Sequence, residues 1–151
     1  MDRDERLMKI ALDEGMIALE HGDIPVGALL VRGEDVIART HNSRELRRDA
    51  TAHAEMDALR LGAERLGDWR LNGCELFVTL EPCPMCAGAI VSHRIDRLVF
   101  GAWNPKSGAA GSLFNITDDP RLNHRVDVRR GVLAEACAEP LAAVFDGLRL
   151  A

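Results

Sequence analysis

The chain has 151 residues, of which 47% are hydrophobic and 28% charged, a composition typical of a soluble globular protein. Its length predicts one domain over residues 1–151. The net charge of −5 argues against tight non-specific binding to nucleic acid, which needs a strongly basic surface. No apolar run approaches the roughly 20 residues that span a bilayer, and the charged N-terminus does not resemble a signal peptide, so a cytoplasmic location is expected.

Hydrophobic periodicity predicts alternating helices and strands along the chain. The first predicted helix covers residues 3–21 and ends at Gly22, since glycine commonly stops a helix. The later predicted elements are, in chain order, strands at 25–31 and 35–41, a helix at 52–65, a strand at 74–80, a helix at 84–93, strands at 97–102 and 124–128, and a helix at 132–149. This alternation predicts an α/β protein with helices packed on a partly parallel sheet. Pro140 is expected to kink or split the last helix.

Positive charge is concentrated in two segments of this acidic chain. Residues 93–131 contain seven Lys or Arg against four Asp, and the short segment 44–48 reads RELRR. A solvated surface is the simplest explanation of each segment, and a local contact with nucleic acid stays open for both.

The segment EPCPMC places Cys83 and Cys86 three positions apart, so on a helix both would face the same way. Pro84 suits the first position of a helix, which would make Cys83 the N-cap. Thiolates at a helix N-terminus have lowered pKa values because the helix dipole favours negative charge there. The pair is therefore predicted to supply two metal ligands. A redox pair is the alternative, but the Pro-Met spacer and the missing thioredoxin-like context argue against it.

The segment TAHAEMDALR places His53 and Glu55 only two positions apart. Such residues lie on different sides of a helix, yet they can both reach a ligand at the end of a helix. With Thr51 as the N-cap, both would lie in the first turn. His53 could then complete a His-Cys-Cys zinc site with a fourth position open for water. Glu55 would stand beside that water, and Ala54 could offer its backbone N–H.

A His-x-Glu motif followed, after 26 intervening residues, by Pro-Cys-x-x-Cys matches the signature of zinc-dependent nucleobase deaminases. Most of residues 5–135 also resembles the bacterial tRNA adenosine deaminase family. The segments that carry the resemblance are IPVGALLV, HN, TAHAEMDALR, LFVTLEPCPMCAGAI, GAWNPKSGAAGSL and NHRVDV. The resemblance implies a three-layer α/β/α sandwich of the cytidine-deaminase-like type with a central mixed five-stranded sheet. It also implies one Zn²⁺ per subunit and a homodimer whose active sites lie near the interface.

The reaction implied by this resemblance is hydrolytic deamination of adenosine to inosine at the wobble position of a tRNA anticodon. Zinc, held by His53, Cys83 and Cys86, would activate water, and Glu55 would carry protons from the water to the ring and to the departing ammonia. The implied substrate contacts are Asn42, Pro25, Val26, Ala54, Leu80, Asn104 and Lys106. Asn42 could instead be a turn residue, and three apolar members of this set could be core residues. Glu81 is predicted to form a structural salt bridge or to hydrogen-bond residues of the site, rather than to be a catalyst.

Three departures from the family pattern concern residues expected to bind RNA. Asn104 occupies a place where the family usually has an acidic residue that contacts the ribose. The chain ends in VFDGLRLA, keeping Phe145 and Arg149 but lacking the family's aromatic pair and basic tail. Pro140 interrupts the same helix. The catalytic residues are all present, whereas these three departures predict weaker RNA binding.

Two other functions stay open. The shortened C-terminus favours a free nucleobase or nucleoside, such as guanine, cytosine or adenosine, as the alternative substrate. The second is a zinc-binding partner subunit without activity. Such subunits typically lose the proton-carrying glutamate, and this chain keeps Glu55.

Overall fold

The computed structural model describes residues 1–150, with side chains through residue 147. The five helices are α1 (Arg3–Met16), α2 (Arg44–Arg47), α3 (Ala54–Leu66), α4 (Pro84–Ser92) and α5 (Ala134–Leu150). The five strands are β1 (Gly27–Arg32), β2 (Asp35–His41), β3 (Cys74–Leu80), β4 (Arg97–Ala102) and β5 (Asp127–Arg129). Two 3₁₀ helices cover Ile17–His21 and Ile116–Asp118. Among the described residues, no helix is both long and apolar enough to cross a membrane.

The strands form one mixed sheet in the order β2-β1-β3-β4-β5. β1 is antiparallel to both β2 and β3, whereas β3, β4 and β5 run parallel to one another. The central strand β3 places Phe77 opposite Leu29 on one side and Val99 on the other, and all three side chains are fully buried. The predicted mixed five-stranded sheet is confirmed.

Helices cover both faces of this sheet. A Cβ on Gly27 would lie only 1.9 Å from the carbonyl oxygen of Ala11 in α1, so α1 packs directly on the backbone of β1. A Cβ on Gly62 of α3 would lie 2.1 Å from Cδ2 of Leu30. Because side chains alternate along a strand, positions 27 and 30 point to opposite faces. α1 and α3 therefore form the two outer layers, as the predicted three-layer arrangement requires.

The start of α3 differs from the prediction. His53, not Thr51, is the N-cap, with extended backbone angles of φ −77° and ψ 151°. Both the amide and the hydroxyl of Thr51 donate to Oδ1 of Asp49, at 2.8 and 2.7 Å. These hydrogen bonds hold Thr51 in a turn with Asp49, and the helix begins two residues later than predicted. The prediction for α4 is confirmed, with Cys83 as the N-cap and Pro84 in the first turn.

Other boundaries also changed. The first helix is α-helical only to Met16 and continues as a 3₁₀ helix to His21, before Gly22 ends it with φ of 76°. The first four residues of the RELRR segment form the short helix α2, which was not predicted, and Arg48 ends it in a left-handed conformation. Pro140 lies inside α5 without splitting it. Ala136, whose carbonyl loses its partner to Pro140, is exposed, so water can replace that hydrogen bond.

Candidate active site

The site lies where two long helices begin. His53 is the N-cap of α3 and Cys83 is the N-cap of α4, which follows three residues after the end of β3. The two side chains point toward each other instead of capping their own helices. Sγ of Cys83 lies 3.7 Å from Nδ1 of His53, and Sγ of Cys86 lies 3.4 Å from the same nitrogen.

These distances fit a tetrahedral metal ion. Zinc bound at about 2.3 Å from sulfur and about 2.0 Å from nitrogen separates such ligand atoms by roughly 3.5 Å. In the part of the chain whose side chains are described, His53, Cys83 and Cys86 are the one group of three suitable ligands, with their donor atoms all within 4.8 Å. Two sulfurs and one imidazole are also the donor set that zinc prefers. The predicted ligands are therefore brought together in a geometry that fits zinc.

The electrostatics of the cluster suit a cation. The hydrogen bond from the Cys86 thiol, with help from His53, lowers the pKa of Cys83 to about 4. The same hydrogen bond and burial raise the pKa of Cys86, and the bond to Cys83 raises the pKa of His53. Cys83 is thus held as a thiolate, and a metal that binds here displaces the remaining protons.

Glu55 lies in the first turn of α3 and is 4% exposed. Burial raises the pKa of its carboxyl, although a hydrogen bond to its own backbone N–H opposes this effect. Its side chain also reaches Cys86, so the carboxyl lies beside the ligand cluster. A raised pKa brings a carboxyl closer to neutral pH, where it can both take up and release protons.

A cleft of about 550 Å³ opens over this cluster. His53, Glu55 and Cys83 line the part of the cleft beside the ligand cluster, which we call the metal end. Most of the predicted substrate contacts also line the cleft, namely Val26, Asn42, Ala54, Leu80, Asn104 and Lys106.

Pro25 is the exception among the predicted substrate contacts. Ile24 and Val26 line the cleft, whereas Pro25 is buried between them and outside the described lining. The backbone N–H of Val26 donates to the carbonyl of Ile24 at 2.8 Å, which closes a three-residue γ-turn with Pro25 at its centre, so Pro25 does not share the environment of its two neighbours. Its predicted contact with substrate has no support in this geometry.

Asn42 both shapes a turn and lines the cleft. Its Nδ2 donates to the carbonyl of Ile24 and its Oδ1 accepts from the backbone N–H of Arg44, both at 3.3 Å. These hydrogen bonds are long and therefore weak. The amide can exchange them for partners on a bound base.

Glu81 fixes the loop that follows β4. Its carboxylate accepts the backbone N–H groups of Asn104 and Ala110, each at 3.1 Å, and of Ser112 at 2.9 Å, together with the Ser112 hydroxyl. Burial alone would raise the pKa of Glu81, but these hydrogen bonds outweigh it and lower the pKa. Among the described residues the partners of Glu81 are amides and a hydroxyl rather than a basic side chain, so Glu81 has a structural role but does not form the predicted salt bridge.

The loop held by Glu81 carries two of the predicted contacts. Asn104 Oδ1 accepts the N–H of Ser107 at 3.2 Å, and its Nδ2 donates to the Ser107 hydroxyl at 3.0 Å. The ammonium of Lys106 lies 5.9 Å from the ring centre of Phe145 on α5. The loop and α5 together form one wall of the cleft, which we call the α5 wall.

Several residues in the lining were not selected from the sequence. They include Ile24, Arg44, Trp103, Leu141, Ala142 and Phe145. The α5 members follow a pattern that was available, since positions 138, 141, 142 and 145 share one helical face. Arg44 was visible only as part of a basic segment.

Comparison with known proteins identifies the family. The family model described as MafB19-like deaminase matches residues 1–142. The tRNA-specific adenosine deaminase of Bacillus subtilis is 48% identical over 149 residues, covering 99% of this chain and 92% of that protein. The chain belongs to the tRNA-specific adenosine deaminase family. The predicted resemblance is confirmed, and this deaminase is an enzyme rather than an inactive partner subunit.

Two solved structures share the fold, and one of them comes from the same family. One, from work on A-to-I editing by tRNA:A34 deaminases at the wobble position of transfer RNA, has a TM-score of 0.86 and 44% identity over 90% of this chain and 99% of that chain. A guanine deaminase from Bacillus subtilis has a TM-score of 0.65 and 29% identity over 100% of this chain and 96% of that chain. The predicted cytidine-deaminase-like fold is thus confirmed.

Proposed function

We propose that this deaminase converts adenosine to inosine at the wobble position of a tRNA anticodon. The carrying observation is that His53, Glu55 and Cys83 line one cleft with Cys86 grouped behind them as a third possible metal ligand, in a chain 48% identical to a tRNA-specific adenosine deaminase over almost its whole length. We propose that the enzyme acts in the cytoplasm, where tRNA is available as a substrate.

The three ligands would hold one Zn²⁺ per subunit. A zinc ion in such a site lowers the pKa of bound water from about 15.7 to about 7. Cys83 contributes a thiolate. His53 and Cys83 are the N-caps of α3 and α4, so the start of a helix sets the backbone position of each ligand.

Glu55 handles the protons of the reaction. Water adds to C6 of adenine and gives its proton to the Glu55 carboxylate, which passes that proton to the neighbouring ring nitrogen. The regenerated carboxylate then takes the second proton, from the hydroxyl now on C6, and gives it to the exocyclic nitrogen, so that the C6–N bond breaks and ammonia leaves with a carbonyl remaining at C6. The buried position of Glu55 keeps bulk water from competing for these protons. The N–H of Ala54 belongs to the start of α3, where backbone N–H groups lack helical partners, and would donate to the substrate.

The rest of the cleft fits a nucleotide. Val26 and Leu80 offer apolar surface to the faces of the base, and Asn42 offers an amide to its polar edge. Lys106 and Asn104 lie on the α5 wall, where a phosphate and a ribose of the RNA strand would pass.

We infer that two copies of the chain associate near this site. Leu113 and Phe114 expose 56% and 53% of their surface, and both donate their backbone N–H groups to the carbonyl of Gly108 in the loop held by Glu81. Exposed apolar side chains on an ordered loop favour a protein interface. A homodimer would cover them beside the active site.

The test is to incubate zinc-loaded protein with an arginine tRNA that has adenosine at the wobble position, and to detect inosine as guanosine in the sequenced cDNA. We expect conversion at that position alone. The same tRNA with guanosine at the wobble position and the Glu55→Ala protein are the matched controls. Absence of inosine from a reaction with zinc-loaded protein would refute the proposal.

A free base or nucleoside is the second candidate, favoured by the neutral Asn104, whose amide is engaged by Ser107. Ammonia release from guanine, cytosine and adenosine is compared with inosine formation on tRNA under the same conditions. Faster turnover of any of these small substrates than of tRNA would replace the first proposal by the second.

A further inference from the structure

The short helix α2 forms part of the cleft although it is too short to be stable alone. An isolated helix needs on the order of 12 residues or more, and α2 has four, Arg44–Arg47. The hydroxyl of its N-cap, Ser43, is directed to Asp57 at 3.5 Å rather than to the helix. Contacts from elsewhere in the chain must therefore hold α2 in place, and with it Arg44, which lines the cleft.

Asp23 supplies the missing cap from a distant segment. Its two carboxylate oxygens accept the backbone N–H groups of Glu45 at 2.7 Å and of Leu46 at 3.1 Å. These are N–H groups of the first helical turn that have no partner within a helix. Asp23 is 2% exposed, and the ring nitrogen Nδ1 of His21, 2.7 Å away, holds its carboxylate in position.

The other end of α2 is tied to α3. The guanidinium of Arg47 donates to both oxygens of Asp57, at 3.1 and 3.2 Å. At the N-terminal end of α2, Asp23 holds the first turn through the N–H groups of Glu45 and Leu46. The helix is therefore fixed at both ends, while the side chain of Arg44 stays 47% exposed and meets Glu45 only at 3.8 Å.

We infer that Asp23 is a positioning residue, which fixes α2 so that Arg44 holds a phosphate group of the bound RNA strand at the mouth of the cleft. The inference rests on the proposed tRNA substrate. Arg44 and Lys106 are the lysine and arginine side chains in the described lining of the cleft, and each lies on a different segment. A guanidinium suits phosphate because it can donate two parallel hydrogen bonds. This contact gives the RELRR segment a function beyond that of a solvated surface.

The salt dependence of RNA binding tests this inference. An anticodon stem–loop is titrated onto zinc-loaded Glu55→Ala protein, which binds RNA without converting it, at a series of salt concentrations. The slope of log K against log salt is negative, and each lost phosphate contact reduces its magnitude by about 0.7 for single-stranded nucleic acid. Arg44→Ala should reduce the magnitude of the slope by this amount, and Asp23→Asn should reduce it equally.

The sign of the Asp23→Asn effect separates positioning from simple electrostatics. Removing a negative charge should by itself strengthen the attraction for RNA, so a weaker salt dependence is the opposite of a pure charge effect. Asp13→Asn, an identical change at an exposed position of α1, is the matched control and should leave the slope unchanged. In the Arg44→Ala background, Asp23→Asn should produce no further change, because the contact it positions is already gone.

Should Asp23→Asn fail to fold, His21→Asn keeps the carboxylate but removes the imidazole that holds it, and should give a smaller reduction of the slope. An unchanged slope in a folded variant, or a reduction that adds fully to that of Arg44→Ala, would overturn the inference alone. Wild-type protein that fails to convert tRNA would refute the proposed function, and this inference with it.

Discussion

The metal end of the cleft is built from the starts of two helices of 13 and 9 residues, whereas its outer walls depend on a four-residue helix and a loop. At the metal end, His53 and Cys83 are the N-caps of these two helices, so their positions follow from where the helices begin. At the walls, buried carboxylates accept backbone N–H groups of each segment, Asp23 those of α2 and Glu81 those of the loop after β4, and the pair of Arg47 and Asp57 ties the far end of α2 to α3. Catalysis and substrate binding can therefore be disturbed separately in this deaminase.

The largest expected effect is on proton transfer at the metal end. Glu55→Ala should lower kcat by about a thousandfold or more, since general acid–base catalysis contributes roughly 10²–10⁴-fold per group. Glu55→Gln, which keeps the shape but cannot carry the proton, should lose as much. Single-turnover formation of inosine measures the loss, and metal analysis should find zinc retained. Turnover within about tenfold of wild type would remove Glu55 from the mechanism.

Zinc should also contribute to the stability of the metal end. Removing zinc with a chelator should lower Tm. Adding zinc at a thousandfold excess over its Kd should then raise the free energy of unfolding by about 4 kcal/mol. Calcium should have no such effect, because sulfur and nitrogen donors disfavour hard cations. In His53→Ala the response to zinc should be strongly reduced. Thermal melts with and without each ion measure these shifts, and an equal response in His53→Ala would contradict the ligand assignment.

At the α5 wall, Glu81→Gln should raise KM for tRNA more than it lowers kcat. The amide would face four donors with one oxygen, and each unsatisfied buried group costs about 1–3 kcal/mol. We expect a loss of about 2–3 kcal/mol in the free energy of unfolding with zinc still bound. Ser112→Ala, which removes only the hydroxyl donor, should lower the free energy of unfolding by about 1 kcal/mol. A fall in kcat with KM unchanged would show that the two ends of the cleft are not separable.

Far from the cleft, Asp4 offers a change that should affect stability alone. Its carboxylate accepts from Arg97 at 3.0 and 2.6 Å and from Arg129 at 2.7 Å, and the bonds from Arg97 lower its pKa. Asp4→Asn should lower the free energy of unfolding by about 1–2 kcal/mol at pH 7 and leave kcat/KM unchanged.

This loss should depend on pH in a defined direction. Because the pKa of Asp4 is lower in the folded state, its stabilisation is complete above the ordinary value of about 3.9 and disappears as the pH falls through the folded-state pKa. Urea denaturation of both proteins at pH 7 and at acidic pH below about 4 should show the difference shrinking. A difference that stays constant over this range would mean that the charge of Asp4 is irrelevant.

The metal end could be predicted from the sequence because its information is local. His53 and Glu55 lie two positions apart, Cys83 and Cys86 three apart, and Pro84 marks the start of the second helix. The error at Thr51 arose because Asp49, two residues earlier, is the stronger local partner for its hydroxyl.

The walls could not be predicted because they depend on distant partners. Helix α2 owes its place to Asp23, 22 residues before Glu45, and four residues carry no periodic pattern of their own. Glu81 reaches Ser112 across 31 positions, so its partners are invisible in the neighbouring sequence. Pro140 suggested a broken helix, but the exposed carbonyl that it leaves can be satisfied by water.

The contact between Gly27 and α1 sets a practical limit on redesign of the cleft. Any side chain at position 27 would collide with the backbone of Ala11 and push a whole layer away from the sheet, although the neighbouring Val26 lines the cleft. A mutant library for altered base preference should therefore vary Val26 and Leu80 and keep glycine at position 27.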